Sequence, residues 1–351
     1  MNVSENLVKK SGSQREVIDW INLCRVVAIY GVVLIHTCGA FFYQYGAIPL
    51  SDWLSANFLD SLMRCTVPLF VMLSGALLLK PGAQLVPPFK LAQRIFKVLF
   101  PLIVWSFIYL LHVSHHSDVP VDWLSILKQP AMYHLWFVYM IIGIYIFLPV
   151  FQVIFEAIRS KRNFQLYLLG IWLVVSCLPV YWPLPMLTLL QQSSFFGYGG
   201  YFLIGAVIAS SPKDRIPTAI WVMIFSISVF VTFGLTWRFS EQANAPIETA
   251  YLYFSLNVFV STIAAFVLFK RVQVAKCLTK ILQWVSDRSF LIYFVHVLVL
   301  EFVRFSKLIA LISQHLPVLL TILIISIATF IISLMVAAVI RVIPGSQPVF
   351  G

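Results

Sequence analysis

Arg25 and His36 stand in one strongly apolar run, the stretch that begins Asn22-Leu-Cys-Arg25 and ends Leu-Ile-His36. An ionisable side chain inside a membrane-length apolar segment is costly to place and marks a functional candidate. Eleven residues separate the two, which is about 1100° of helical rotation, about 20° past three full turns. Both side chains therefore leave the same helix face, about 16.5 Å apart along the axis. A guanidinium suits phosphate and carboxylate oxygens, and a neutral imidazole takes up a proton. The pair fits an anion held at one depth and a proton abstracted at another. A snorkelling arginine beside a core histidine is the plainer account, but two such groups on one face of an apolar helix need partners.

Candidate partners recur along the chain. Arg64 is followed by Pro68 and by Ser74-Gly75, a small pair that permits close helix contact. Arg64 is a candidate for an anionic acceptor or a developing oxyanion, with Ser74 beside the same path. Tyr293 and His296 are spaced i,i+3 and share a helix face; they would supply donors or orient an acceptor, and packing within a core explains them about as well. His134 lies between Tyr133 and Trp136. An aromatic belt accounts for Tyr133 and Trp136, whereas His134 requires more; His134 and Trp136 are candidates for substrate binding, with Arg64 and Ser74. Arg94 and Lys97 open another apolar run.

These residues must be positioned by membrane helices. The 351 residues are 61% hydrophobic and 11% charged, against about 45–50% apolar and about 25% charged in soluble domains. A soluble globule, a disordered chain and a nucleic-acid binder are excluded, despite a net charge of +11. A spanning helix needs about 20 apolar residues. Ten runs qualify as candidates, at 20–45, 58–79, 95–113, 134–155, 164–182, 195–210, 217–237, 250–269, 282–303 and 316–341. The run 195–210 is short and rich in glycine and reads as a broken or tilted helix. The runs are continuous rather than alternating, so helices are expected and a β-barrel is not.

The charges orient the bundle. With the N-terminus in the cytoplasm, seventeen Lys and Arg fall in inside segments and four (Lys128, Arg238, Arg304 and Lys307) outside. Ten spans with both ends inside follow, as a segment 1–19, one membrane domain 20–342 and a tail 343–351. The first twenty residues carry Glu5, Lys9, Lys10, Arg15, Glu16 and Asp19, and the apolar run after them is too long for a signal h-region. It is expected to remain as the first span. Five cysteines without a CxxC pair exclude a disulfide framework or a zinc ribbon. His112, His115, His116 and Asp118 read as a solvated loop rather than a metal site, and Glu301 with Arg304 as a local ion pair. No metal is expected.

The residues resemble a known family. Arg25-x10-His36, Arg64-x3-Pro68-Leu-Phe with Ser74-Gly75, His134-Leu-Trp136-Phe with Pro149, and Tyr293-x2-His296 resemble, in that order, the membrane acyltransferase-3 family of O-acyltransferases. The pieces extend from about residue 18 to 300. The likeness is greatest to short members that acetylate bacterial surface glycans. It implies transfer of acetyl from acetyl-CoA to a sugar hydroxyl of a surface or lipid-linked polysaccharide, at the bacterial inner membrane. It implies His36 as the catalytic histidine and Arg25 as its essential partner. The family's Arg-x-x-Arg reads Arg94-Ile-Phe-Lys97 here, and the lysine keeps the charge without the bidentate fork.

On this reading CoA phosphates dock on Arg25, Arg94 and Lys97, and the pantetheine arm runs up toward His36. His36 acts as general base, or by a transient acetyl-imidazole. Partners would be acetyl-CoA, a saccharide or lipid-linked glycan, and membrane lipid. The rival is a secondary transporter or flippase for a glycan-related substrate. Embedded Arg and His and a Gly-interrupted span suit it, while the lack of a matching break in the other half does not. A non-catalytic scaffold of glycan export is a third reading.

Overall fold

The computed structural model describes residues 3–117, 122–212, 214–304, 306 and 315–351, with side chains from Asp19 onward except at 116, 117, 347 and 348. Asp118, Lys213, Lys307 and the side chains of Lys9, Lys10, Arg15 and His116 lie outside the described residues. No strand occurs among the described residues.

The chain begins with α1 (Val3–Phe42), followed by α2 (Leu50–Met63), α3 (Thr66–Leu78) and α4 (Pro88–Ser117). Two short 3-10 turns, Trp123–Leu127 and Tyr133–Leu135, lead to α5 (Trp136–Ile146) and α6 (Leu148–Ile158). Then come α7 (Arg162–Trp172), a π segment (Leu173–Cys177), α8 (Leu178–Tyr181), α9 (Pro185–Gln192), a second π segment (Ser194–Tyr198) and α10 (Gly199–Ser210). The last part holds α11 (Thr218–Ala243), α12 (Leu256–Arg271), α13 (Lys276–Ser286), α14 (Ser289–Arg304), α15 (Val318–Val342) and α16 (Ser346–Phe350).

Among the described residues seven stretches are long and apolar enough to cross a membrane, and the number is nine if each of two bent pairs is one span. The protein is thus a multi-pass helical membrane protein. Of the ten expected spans, the one at 282–303 differs most. It is divided into α13 and α14, and the 16 residues of α14 rise about 24 Å, short of a hydrocarbon core of about 30 Å. Eleven of those 16 residues are buried, so α14 is enclosed by other helices rather than by lipid. The bend of 65° between α5 and α6 falls at Phe147, just before Pro149, which has no N–H to continue the helix. The Gly-rich stretch is also broken: Ser193 is extended and the chain bends by 71° between α9 and the helix that follows.

Helix α1 is central, packing against α2, α3, α12, α13, α14 and α15. A second axis is the α3–α10 crossing. A Cβ on Gly75 would overlap the carbonyl of Phe202, and one on Gly205 would overlap the backbone of Met72. Only glycine allows these helices to approach so closely. The crossing seats α3 against α10 on one side and against α1 on the other, which fixes Ser74 near the face of α1 that carries Arg25.

Candidate active site

Four aromatic nitrogen-bearing or hydroxyl-bearing rings meet inside the bundle. The ring centroids of His36 on α1 and His296 on α14 are 5.3 Å apart, those of His134 and His296 5.1 Å, and those of His36 and His134 6.4 Å. His134 and His296 are buried. Tyr293, one helical turn before His296, donates its hydroxyl hydrogen to the backbone carbonyl of His134 and thereby joins α14 to the turn Tyr133–Leu135. His296 Nδ1 lies 2.6 Å from the carbonyl oxygen of Tyr293. A carbonyl can only accept, so Nδ1 carries the hydrogen and the neutral ring leaves Nε2 with a lone pair. That Nε2 is buried without a hydrogen-bond partner, as are both ring nitrogens of His134. Buried polar atoms without partners are uncommon and costly. Three in one cluster make a polar patch with hydrogen-bonding capacity left over inside the bundle.

Tyr133 joins this cluster to the surface. Its ring stands 5.1 Å from that of His36 and it is 56% exposed. The aromatic-belt account of Tyr133 omits this contact, and the sequence carries no signal for it, because it depends on how the turn Tyr133–Leu135 folds back against α1.

On the other side of Tyr293 is a cavity of about 590 Å³. Arg25, Ser74, Lys97, Tyr145, Asp287 and Arg341 line it with Tyr293 itself, together with apolar residues of α4, α5 and α14. Arg25 Nη1 donates to Ser286 Oγ at 3.2 Å, and Ser286 donates in turn to Asn22 Oδ1 at 2.9 Å. This relay holds the guanidinium against α13. Ser74 donates to the Phe70 carbonyl at 2.9 Å, within its own helix. Arg25 and His36 thus lie on the two sides of Tyr293. The 590 Å³ cavity touches Arg25 and Tyr293, and His36 is in ring contact with His296 beyond them. A larger apolar groove of about 810 Å³ lies between α6, α7, α10 and α12, and none of these site residues lines it.

The remaining candidates sit elsewhere. Arg94 is exposed, outside the cavity lining, although Lys97 one turn later belongs to it. Arg64 lies at the break between α2 and α3 and ion-pairs with Asp60, Nε to Oδ1 at 2.6 Å and Nη2 to Oδ2 at 2.8 Å. Its guanidinium also rests 3.9 Å above the centre of the Tyr251 ring. A cation so engaged has its charge balanced within the protein. The i,i+4 spacing of Asp60 and Arg64 is the sequence signal of such a pair. Trp136 stacks on Tyr253, centroids 5.8 Å apart, and packs against Tyr198. It closes the aromatic core beside the imidazoles, without ring contact to them. Glu301 Oε2 accepts from His112 Nε2 at 2.6 Å, a partner on another helix that the local pairing with Arg304 does not include.

Chemically, the arrangement offers an imidazole with lone-pair neighbours, a buried tyrosine hydroxyl and a cationic cavity on one side. No carboxylate hydrogen-bonds His36 among the described residues. Among the described residues no group of three or more metal-ligating side chains is placed to hold a metal ion.

No curated protein and no solved structure matches the chain. The family model for the acyltransferase domain, type 3, matches residues 18–338. That range holds α1 from its Trp20 end through most of α15, including every residue of the imidazole cluster and Arg25, Ser74 and Lys97 of the cavity. The chain belongs to the acyltransferase-3 family of membrane acyltransferases.

Proposed function

We propose that this protein is an O-acetyltransferase of the bacterial inner membrane that moves acetyl from acetyl-CoA to a sugar hydroxyl of a surface or lipid-linked polysaccharide. The observation that carries the reading is the contact of two compartments at Tyr293: a cavity lined by cations ends on the ring beside the buried imidazoles. The donor's anionic part occupies the cavity with Arg25 and Lys97, and its thioester reaches the imidazoles. His36 takes the proton of the acceptor hydroxyl. The hydroxyl oxygen attacks the thioester carbonyl, the C–S bond breaks, and the proton passes from His36 to the leaving thiolate, giving the ester and the free CoA thiol. Donors near the carbonyl steady the oxyanion, a task for which the unpartnered N–H of His134 is available; Tyr293 holds His134 in place through the hydrogen bond to its carbonyl. Acceptor approach from the Tyr133 side separates it from the donor cavity. Sugar rings stack on aromatic faces, and an exposed tyrosine beside His36 provides one.

The test is release of CoA thiol by purified protein given acetyl-CoA and a glycan extract, with mass spectrometry of the extract for added acetyl groups. Thiol release that needs acceptor and disappears in His36→Ala supports the reading. An His36→Ala protein that is membrane-inserted and still fully active overturns the base assignment. One observation favours the rival transporter reading: the chain has two sharply bent pairs, not one. A transporter would move substrate without releasing CoA thiol, so the same assay separates the two.

A further inference from the structure

We propose that Arg341, near the end of α15, is the third cation of a phosphate-binding cradle formed with Arg25 and Lys97, and that the cradle holds the adenosine bisphosphate part of the acyl donor. Arg341 is one of the seventeen cations in the inside segments, and the last turn of a helix is a favourable place for a cation in any case. Neither account explains its position. Arg341 lines the same 590 Å³ cavity as Arg25 and Lys97. Its Nε is buried and has no hydrogen-bond partner. Its neighbour in charge is a further cation, Arg288, which is stacked on Trp284 with its guanidinium 4.0 Å from the ring centre.

The three cations face a cavity whose lining includes one acidic side chain, Asp287, close enough to act on Arg25, and Gly351 at the end of the sequence; Asp287 offsets one of the three charges and leaves an excess. No carboxylate is within ion-pair distance of Arg25, Lys97 or Arg341 among the described residues. Arg25 uses its charge on a neutral serine hydroxyl. Gathering three like charges at a partly enclosed site is unfavourable unless an anion joins them. A carrier of more than one phosphate group matches the excess, and Arg presents its fork to phosphate oxygens in a way that Lys does not. The cradle spans three helices, α1, α4 and α15, so no single sequence motif contains it. Arg94, which the family pattern would place in this role, is exposed at the rim, next to the cavity residue Tyr145.

The inference rests on the acyl-CoA reading for the identity of the ligand, and the experiment separates the two. The full chain in detergent is titrated with adenosine bisphosphate, and binding is read by calorimetry and by the shift in thermal unfolding. Wild type is expected to bind. Arg341→Gln is expected to bind about tenfold more weakly, the loss of one charge-assisted contact, and Arg341→Lys to fall between them. Arg238→Gln, at an exposed pair with Glu241, is the control for charge alone. Equal affinity of wild type and Arg341→Gln, with both folded by thermal unfolding, overturns the cradle. Glycerol phosphate is the second probe, standing for the headgroup of an anionic lipid. If it competes as well as the nucleotide, the cavity is a lipid-headgroup site and the donor assignment is overturned. Binding of the nucleotide by wild type, without any thiol release from acetyl-CoA in the presence of the glycan extract, would sink the enzymatic reading and leave the cradle standing.

Discussion

His36 is surrounded by imidazoles and a tyrosine rather than by a carboxylate, and that decides how its ring can be oriented. In a Ser-His-Asp arrangement a carboxylate fixes the tautomer. Here the nearest fixed tautomer is that of His296, whose Nδ1–H is taken by the Tyr293 carbonyl. Its bare Nε2 is available to accept from a neighbouring N–H. Replacing His36 by Ala is expected to lower the acetyl-transfer rate by about 10²–10⁴-fold, the usual contribution of a general base, with membrane insertion and thermal unfolding unchanged. Arg64 calls for a different expectation. Its partner Asp60 is buried, with side-chain exposure of 1%, so Asp60→Asn leaves a buried cation uncompensated. The cost should be about 3–5 kcal/mol, seen as a lower unfolding temperature in detergent. The double replacement Asp60→Asn with Arg64→Met should recover most of it. If Arg64→Met alone unfolds at the wild-type temperature but abolishes transfer, Arg64 serves the acceptor and not the fold. What the sequence could show at this scale was the type and spacing of single residues: Arg25 and His36 on one face, and Tyr293 and His296 on another. It could not show that His134 and Tyr133 reach His36, because ring contacts between α1, α14 and the turn Tyr133–Leu135 are set by packing and not by spacing.

Elements place these residues, and the α3–α10 crossing is the most exacting of them. Both contact glycines are opposed by backbone atoms, which cannot rotate away as a side chain can. Gly75→Val or Gly205→Val should therefore force the helices apart. Over-packing costs about 1–3 kcal/mol where the neighbours can adjust, and more is expected here. The measurement is the folded yield by size-exclusion chromatography, alongside Gly170→Val, where a Cβ meets nothing. If all three express and elute alike, the close approach is not needed. Helix boundaries were legible where the chemistry is local: Pro217 and Pro317 stand directly before α11 and α15, and Asn244, with φ of 49°, closes α11 in the left-handed conformation. The bend before Pro149 and the break in the Gly-rich stretch follow from the same local logic. The short α14 was not legible. Its apolar composition reads as a span, but eleven of its residues are covered by other helices, and hydropathy does not distinguish protein from lipid as the covering.

For the whole molecule the open issue is orientation, because the donor cavity and the exposed face of Tyr133 must meet different compartments if donor and acceptor come from opposite sides. On the orientation expected from the charge asymmetry, the loop before α13 faces the cytoplasm, and with it Arg25 and Lys97. The molecule carries its own reporter for this. Of its five cysteines, Cys24, Cys38, Cys65 and Cys177 are buried, while Cys277 near the start of α13 is exposed. A thiol must be accessible and ionised to react with a maleimide, so Cys277 is the site that a membrane-impermeant maleimide can reach on the native protein. It should be labelled in inverted membrane vesicles and spared in intact cells, and Cys277→Ser should remove the signal. Labelling of Cys277 from outside would place the cationic cavity on the outer face. A CoA thioester is confined to the cytoplasm, so that result would remove the donor from reach of Arg25 and with it the proposed route to His36.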